Sequence, residues 1–136
     1  MKELKNRIYG YLEFKNIRKC PEIDEIIDEC LSELSLSDTF RCIYKSFSEP
    51  IDFLKKEPYL SFLSGSNGYY LCAMTLGRIV DDKLDYYLKN DKIKAEVFDS
   101  CANAYLEFKA DEYEKTLVSD ISYKFAPGYQ GSDIKD

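Results

Sequence analysis

A short segment near the C-terminus combines a cation, a sharp bend and an aromatic ring: Lys124-Phe125-Ala126-Pro127-Gly128-Tyr129. Pro127 fixes its own φ at about −65° and disfavours helical geometry at the residue before it. Gly128 can adopt a positive φ or let a ligand approach the backbone closely. Tyr129 adds a flat ring with a polar tip. The segment can therefore hold a small ligand that has one charged and one planar end, or it is an ordinary Pro-Gly turn.

This segment resembles the Arg-x-x-Pro-Gly-Tyr signature of the activation (reactivation) domain of cobalamin-dependent methionine synthase. Four further segments are similar, in the same order, to the short stand-alone proteins that carry this domain. Residues 8–12 resemble the opening helix, 21–30 the second helix, 40–47 the first strand, and 71–77 an apolar strand that ends in Thr-Leu-Gly and leads into long helices. The resemblance covers most of the 136 residues, and its order gives it weight.

The resemblance implies that the C-terminal segment contacts S-adenosylmethionine, through Lys124, Ala126, Pro127, Gly128 and Tyr129. The family has Arg where this chain has Lys124. A guanidinium can hold the ligand's carboxylate with two parallel hydrogen bonds, whereas an ammonium supplies a single mobile point charge. We therefore expect the site to keep its positive charge and to bind the ligand more weakly.

A second family contact is a Glu on the helix that precedes the last strand. Alignment of residues 102–105 with the family places Asn103 at that position. An amide can donate and accept hydrogen bonds, but it has no charge to pair with an ammonium or a sulfonium. Glu107, one helical turn later, takes this role if the alignment is shifted by a turn. The alternative is that Asn103 simply faces solvent.

The function that the resemblance implies is assistance to a corrinoid enzyme. Such a domain binds S-adenosylmethionine and docks onto a cobalamin-dependent methionine synthase or another corrinoid protein. There, cobalamin that has become oxidised is reduced by a flavodoxin-like donor and remethylated from the bound ligand. The domain orients the methyl donor and needs no nucleophile or base of its own.

Two other functions remain open. In the first, the chain is an adaptor or interaction protein of the same fold, with ligand binding reduced or lost. Lys124, Asn103 and a C-terminus that is short relative to the family favour it. In the second, two of the five cysteines form a redox pair, which requires Cα atoms less than about 7 Å apart.

Three further candidate sites lie elsewhere. Residues 75–77 (Thr-Leu-Gly) end an apolar strand, where glycine permits either close ligand approach or a turn into the next helix. Carboxylates also cluster at helical spacing, and they could bind Mg²⁺ or form solvated helix faces paired with nearby lysines. They are Asp81, Asp82 and Asp85, and Asp111, Glu112 and Glu114.

Composition excludes several classes of function. With 19 basic and 25 acidic residues the net charge is −6, which disfavours nucleic acids and anionic membrane surfaces. The chain has no His, so Ser-His-Asp and Cys-His catalytic pairs and the usual structural zinc patterns are absent. Four cysteines lie in apolar segments and are expected to be buried thiols in a reducing, cytoplasmic protein. They are Cys30, Cys42, Cys72 and Cys101.

The periodicity of apolar residues predicts a single α+β domain over residues 1–136, with helices packed around a small mixed sheet. Residues 69–76 form a nearly continuous apolar run, typical of a central strand buried on both faces. The other predicted strands are 39–47 and 121–125. Helices are predicted over 2–14, from Pro21 to about residue 34, over 51–63 as a short interrupted helix, over 78–88 and over 91–117.

Overall fold

The computed structural model describes residues 2–37, 40–48 and 69–117. The chain divides into two compact units, one made of Met1–Arg41 and Met74–Val118 and the other of Cys42–Ala73 and Ser119–Asp136. The described elements are α1 (Lys2–Phe14), α2 (Pro21–Ser37), β1 (Arg41–Phe47), β2 (Tyr69–Thr75), α3 (Arg78–Asn90) and α4 (Lys92–Leu117). The predicted α+β class is confirmed. The predicted helix over 51–63 and strand over 121–125 lie outside the described residues.

Helix α1 is amphipathic, and an asparagine in left-handed conformation follows two residues after its last residue, Phe14. Leu4, Ile8 and Leu12 recur every four residues and are buried. Asn16 has a φ of 59°, a conformation that Asn tolerates better than most residues. The Asn16 N–H then donates to the carbonyl of Glu13 and the Ile17 N–H to that of Leu12, both at 3.0 Å. These two bonds satisfy carbonyls that the end of a helix leaves without partners.

Helix α2 begins at Pro21, as the sequence predicts. Proline suits a first helical position because its missing N–H would have no partner there. The carbonyl of Cys20, just before it, accepts the N–H of Asp24 at 3.0 Å. The apolar residues of this helix recur on one face, and most of them are buried: Ile23, Ile27, Cys30, Leu31 and Leu34.

Asp91 joins α3 to α4 and caps both helices. Its N–H donates to the carbonyl of Tyr87 at 2.7 Å, which closes the end of α3. Its carboxylate accepts the N–H of Lys94 at 3.1 Å, as an N-cap residue does for the third position of a helix. The two helices therefore follow each other with a single residue between them.

Helix α4 forms the centre of the helical core, since it packs against α1, α2 and α3. Its apolar residues recur on one face: Val97, Cys101, Ala104 and Tyr105 are buried, and Phe108 packs against the core. Phe98, also on α4, is fully buried with its ring edge-to-face against that of Tyr87. Burial of a side chain of this size stabilises the fold by about 1.5–3 kcal/mol.

Strands β1 and β2 pair with each other and run antiparallel. The prediction that residues 69–76 form a strand is confirmed, but the prediction that its side chains are buried on both faces is wrong. Leu71 is 42% exposed and Met74 is 37% exposed, and among residues 70–76 only Leu76, beyond the end of the strand, is buried. An apolar run shows that a strand forms, whereas its burial depends on layers contributed by distant parts of the chain.

The cysteine prediction is confirmed for two residues only. Cys30 and Cys101 are buried in the helical core, but Cys42 is half-buried and Cys72 is exposed. The two exceptions lie on the strands, so their exposure has the same cause as that of Leu71.

Within the described ranges, no helix combines the length and the apolar character that crossing a membrane requires.

Candidate functional site

The predicted ligand segment lies outside the described residues. Lys124, Ala126, Pro127, Gly128 and Tyr129 all belong to it. Their proposed contacts with S-adenosylmethionine stay predictions. The part of the predicted site that the structure describes is on α4, at Asn103 and Glu107.

Asn103 lies on the exposed side of α4. Residues four positions apart share one face of a helix, so Asn103, Glu107 and Asp111 form a polar row along α4. The row runs beside α1, which packs against α4. Asn103 therefore lies at one end of this row. The other two members, Glu107 and Asp111, are carboxylates that contact side chains of α1.

Glu107 is held by two side chains of α1. The hydroxyl of Tyr11 donates to its Oε1, and the Arg7 guanidinium lies 3.7 Å from its Oε2. Arg7 also contacts Asp111, with 2.9 Å between Nη2 and Oδ2, and this hydrogen bond raises the pKa of Arg7. The carboxylate of Glu107 is thus fixed in position and remains about half exposed. A carboxylate in this state can accept a ligand cation.

The sequence did not reveal Arg7 and Tyr11 as partners of this row. Both lie on α1 at a spacing of four, so they share a face of that helix. That spacing indicates that Arg7 and Tyr11 can act together, but it does not indicate which helix packs against their face of α1. Contacts between residues so far apart in the chain depend on how α1 packs on α4, which local periodicity does not determine.

Other charged residues join helices to one another. The Lys5 ammonium, on α1, lies 3.3 Å from Asp24 and 2.7 Å from Asp28 of α2. Lys15, just after α1, lies 3.3 Å from Glu96 and 2.8 Å from Asp99 of α4. Each ammonium thus bridges two carboxylates on a neighbouring helix.

A third polar cluster joins α2, α3 and α4. The Lys94 ammonium lies 3.4 Å from a carboxylate oxygen of Glu33 and 4.7 Å from the centre of the Tyr87 ring. The Tyr87 hydroxyl donates to Glu33 at 2.8 Å. Burial disfavours the charged form of Lys94, but Glu33 and Tyr87 outweigh it and raise its pKa. With all three groups satisfied by one another, this cluster is best explained as a contact between helices.

The Thr-Leu-Gly segment forms the turn from β2 into α3. Gly77 has a φ of 88° and a ψ of 172°, a region that is essentially restricted to glycine. Its N–H donates to the hydroxyl of Thr75 at 2.9 Å. The turn alone therefore explains why glycine and threonine occur here. This agrees with the interpretation of the segment as a turn into the next helix.

The carboxylate clusters show no metal-binding arrangement. Among residues 2–37, 40–48 and 69–117, no three acidic or cysteine side chains are placed to hold a metal ion. Asp82 pairs with Arg78 and Glu112 with Lys109, each at 3.8 Å. Asp111, which we expected to pair with lysines of its own helix, contacts Arg7 of α1.

Two of the cysteines lie in the helical core. Cys30 on α2 and Cys101 on α4 are both fully buried. The neighbouring Cys30 thiol, together with burial, raises the pKa of Cys101. A redox cysteine needs ready access to its thiolate, so this environment disfavours rapid thiol chemistry.

Comparison with known proteins identifies no relative. No protein-family model matches the chain, and no curated protein or solved structure shows significant similarity to it.

Proposed function

We propose that this chain is an S-adenosylmethionine-binding domain similar to the methionine synthase activation domain, and that it assists the remethylation of a corrinoid enzyme. One observation carries the proposal. The four segments that resemble the family within the described residues lie on elements of the implied kind and order. They are residues 8–12 on α1, 21–30 on α2, 40–47 along β1, and 71–77 on β2 and the turn that leads into the long helices.

The chemistry of the residues fits such a ligand. S-adenosylmethionine carries a carboxylate, an ammonium, a sulfonium and an adenine. Lys124 supplies a cation for the carboxylate, and Tyr129 supplies an aromatic face for stacking. Glu107 is the fixed carboxylate on α4 that can attract the ammonium or the sulfonium.

In this proposal the protein contributes orientation. The bound ligand supplies an electrophilic methyl group to the partner's corrinoid, and a flavodoxin-like protein supplies electrons to the partner. Lys124 and Tyr129 would hold the carboxylate and adenine ends of the ligand and leave its methyl group available to the partner. Orientation of this kind lowers a barrier without a catalytic base, which suits a chain that has no His.

The experiment is calorimetric titration of S-adenosylmethionine into the unmodified chain and into Lys124→Arg. We expect binding of micromolar order, and tighter binding by the variant because the guanidinium restores a two-bond contact with the carboxylate. Lys92→Arg is the matched control, since it makes the same change at an exposed position on α4. Equal affinities for all three proteins would place the carboxylate contact away from Lys124.

The contact on α4 can be tested separately. If Glu107 binds the ligand, Glu107→Gln weakens binding, while Asn103→Ala leaves it unchanged. If Asn103 occupies the family's position, Asn103→Glu strengthens binding by adding the missing charge. These two patterns differ in sign, so one titration series decides between them.

The alternative proposal is an adaptor of the same fold without ligand binding. The replacement of the family's Arg by Lys124 and of its Glu by Asn103 favours it. No heat of binding at millimolar S-adenosylmethionine, with retained co-elution with a cobalamin-dependent methionine synthase, would support the adaptor. Loss of both binding activities would contradict both proposals.

A further inference from the structure

A cavity of about 530 Å³ is formed by the end of α1 and the segment that leads into α2. Its volume falls within the usual range of small-molecule sites, about 300–1,000 Å³. The walls combine two cations, a carboxylate, an amide, an aromatic ring and an aliphatic side chain. In chain order the lining residues are Tyr9, Glu13, Asn16, Ile17, Arg18 and Lys19. The proposed function uses none of them.

Hydrogen bonds fix the backbone at both ends of the segment that lines this cavity. The Leu12 carbonyl, near the end of α1, accepts the N–H of Ile17 at 3.0 Å. The Cys20 carbonyl, just before α2, accepts the N–H of Asp24 at the same distance. The residues between these two points are therefore held between two helix ends. A ligand that enters the cavity meets walls whose backbone is already ordered, which lowers the entropic cost of binding.

Tyr9 is held by α2 and in turn positions one cation of the cavity. Its hydroxyl donates to Asp24, whose carboxylate also lies 3.3 Å from the Lys5 ammonium. The Lys19 ammonium lies 5.0 Å from the centre of the Tyr9 ring, close enough for a cation–π contact. Lys19 thus has a defined position in the cavity wall, and the acidic group bound to Tyr9 already has a cation of its own.

Glu13 and Arg18 supply opposite charges that a ligand can use. Both residues are exposed, and within the described ranges neither takes part in a salt bridge. A guanidinium binds a carboxylate through two parallel hydrogen bonds, and a carboxylate forms a charge-assisted hydrogen bond with an ammonium. Opposite charges in one cavity favour a ligand that carries both.

We propose that this cavity binds a free α-amino acid with a large apolar side chain. Arg18 and Lys19 bind the carboxylate of the ligand, and Glu13 binds its ammonium. Ile17 and the Tyr9 ring supply apolar surface for its side chain. A simple inorganic anion would satisfy the two cations, but Glu13 would repel it and the apolar wall would stay in water.

The test is titration of L-phenylalanine into the ¹⁵N-labelled chain, followed by two-dimensional amide NMR. We expect saturable shifts centred on residues 13–19, with a dissociation constant of millimolar order or tighter. N-acetyl-L-phenylalanine lacks the ammonium and L-phenylalaninamide lacks the carboxylate, so each should bind about tenfold more weakly. Glycine keeps both charges without a side chain and should also bind more weakly than L-phenylalanine.

Two variants correspond to the two altered ligands. Glu13→Gln should weaken binding of L-phenylalanine about tenfold without weakening that of the N-acetyl form, which has no ammonium to bind. Arg18→Gln should likewise weaken binding of L-phenylalanine without weakening that of the amide. Matched controls are Arg78→Gln on α3 and Glu112→Gln on α4, which make the same changes at exposed positions and should leave binding unchanged.

Three results would overturn the proposal. They are equal binding of L-phenylalanine and both altered forms, the same shifts with acetate alone, and no shift up to the solubility limit of L-phenylalanine. The ligand series requires no substitution, so it remains decisive if a variant fails to fold. None of these outcomes depends on S-adenosylmethionine binding.

Discussion

Helix α2 and strand β1 each carry an isoleucine near their centre, and the two side chains have opposite surroundings. Ile27 on α2 is fully buried, whereas Ile43 on β1 is 74% exposed. The helices bury their apolar stripes against one another, chiefly on α4. The strands pair through their backbones while several large apolar side chains stay accessible. The comparison shows that the described part of the chain gains its packing energy in the helices.

The largest expected difference comes from making one substitution in both regions. Ile27→Ala leaves a cavity in the helical core and should lower the free energy of unfolding by about 2–5 kcal/mol. Ile43→Ala removes an exposed side chain and should change it by about 0.5 kcal/mol or less. Urea unfolding followed by circular dichroism measures both. Equal losses would mean that the strand is packed as tightly as the helices.

Replacement by alanine should lower the stability at Gly77, in the turn between β2 and α3, and raise it at Gly10, in α1. Gly77→Ala forces a side chain into a backbone region that suits glycine and should cost about 1–3 kcal/mol. Gly10 lies in α1, and a methyl group added there meets no atom within 4 Å. Gly10→Ala should therefore stabilise the protein by about 0.5–1 kcal/mol. Urea unfolding midpoints measure both effects. If both substitutions raised the midpoint, the backbone at residue 77 would tolerate a side chain without strain, which contradicts the prediction.

Lysines in the two regions provide a third comparison. Lys94 and Glu33 have side-chain exposures of 20% and 27%, so their contact is only partly screened by water. Lys94→Met should cost about 1–3 kcal/mol because it removes a charged partner of Glu33. Lys45 on β1 is exposed and lies 5.4 Å from the centre of the Phe47 ring. Lys45→Met should cost about 0.5–1 kcal/mol at most, and the reverse order would contradict the account.

The last expected effect appears only at alkaline pH. Burial and the hydrogen bond to Asp24 raise the pKa of Tyr9 to about 12. Because the folded protein favours the neutral phenol, the stability contributed by Tyr9 is complete below pH about 10 and is lost as the pH rises towards 12. Titration of tyrosinate absorbance should show a late component that Tyr9→Phe reduces; part of it should remain, because burial and the hydrogen bond to Glu33 also raise the pKa of Tyr87. A late component of unchanged size in the variant would contradict the raised pKa of Tyr9.

The helices were largely predictable from the sequence. Local signals set their ends: Pro21 opens α2, and the apolar spacing of Leu4, Ile8 and Leu12 gives the length of α1. The existence of β2 was predictable from the apolar run of residues 69–76. Its exposure was not, since burial of a strand depends on segments far away in the chain.

The candidate site was only partly predictable. The resemblance indicated Asn103 as a candidate residue, and the helical repeat indicated Glu107. Neither signal showed that Glu107 contacts side chains of α1 while Asn103 lies on the exposed side of α4. Arg7 and Tyr11 reach Glu107 only because α1 packs on α4. Contacts of this kind require the tertiary structure, whereas the chemistry of Lys124 and Tyr129 is apparent from the sequence itself.

The most direct measurement of the central claim is equilibrium dialysis of the unmodified chain against radiolabelled S-adenosylmethionine, with unlabelled ATP in excess to suppress non-specific binding. The account predicts saturable retention of one ligand per chain at micromolar concentrations, displaced by S-adenosylhomocysteine. No retention above that of a denatured sample, up to millimolar ligand, would contradict it.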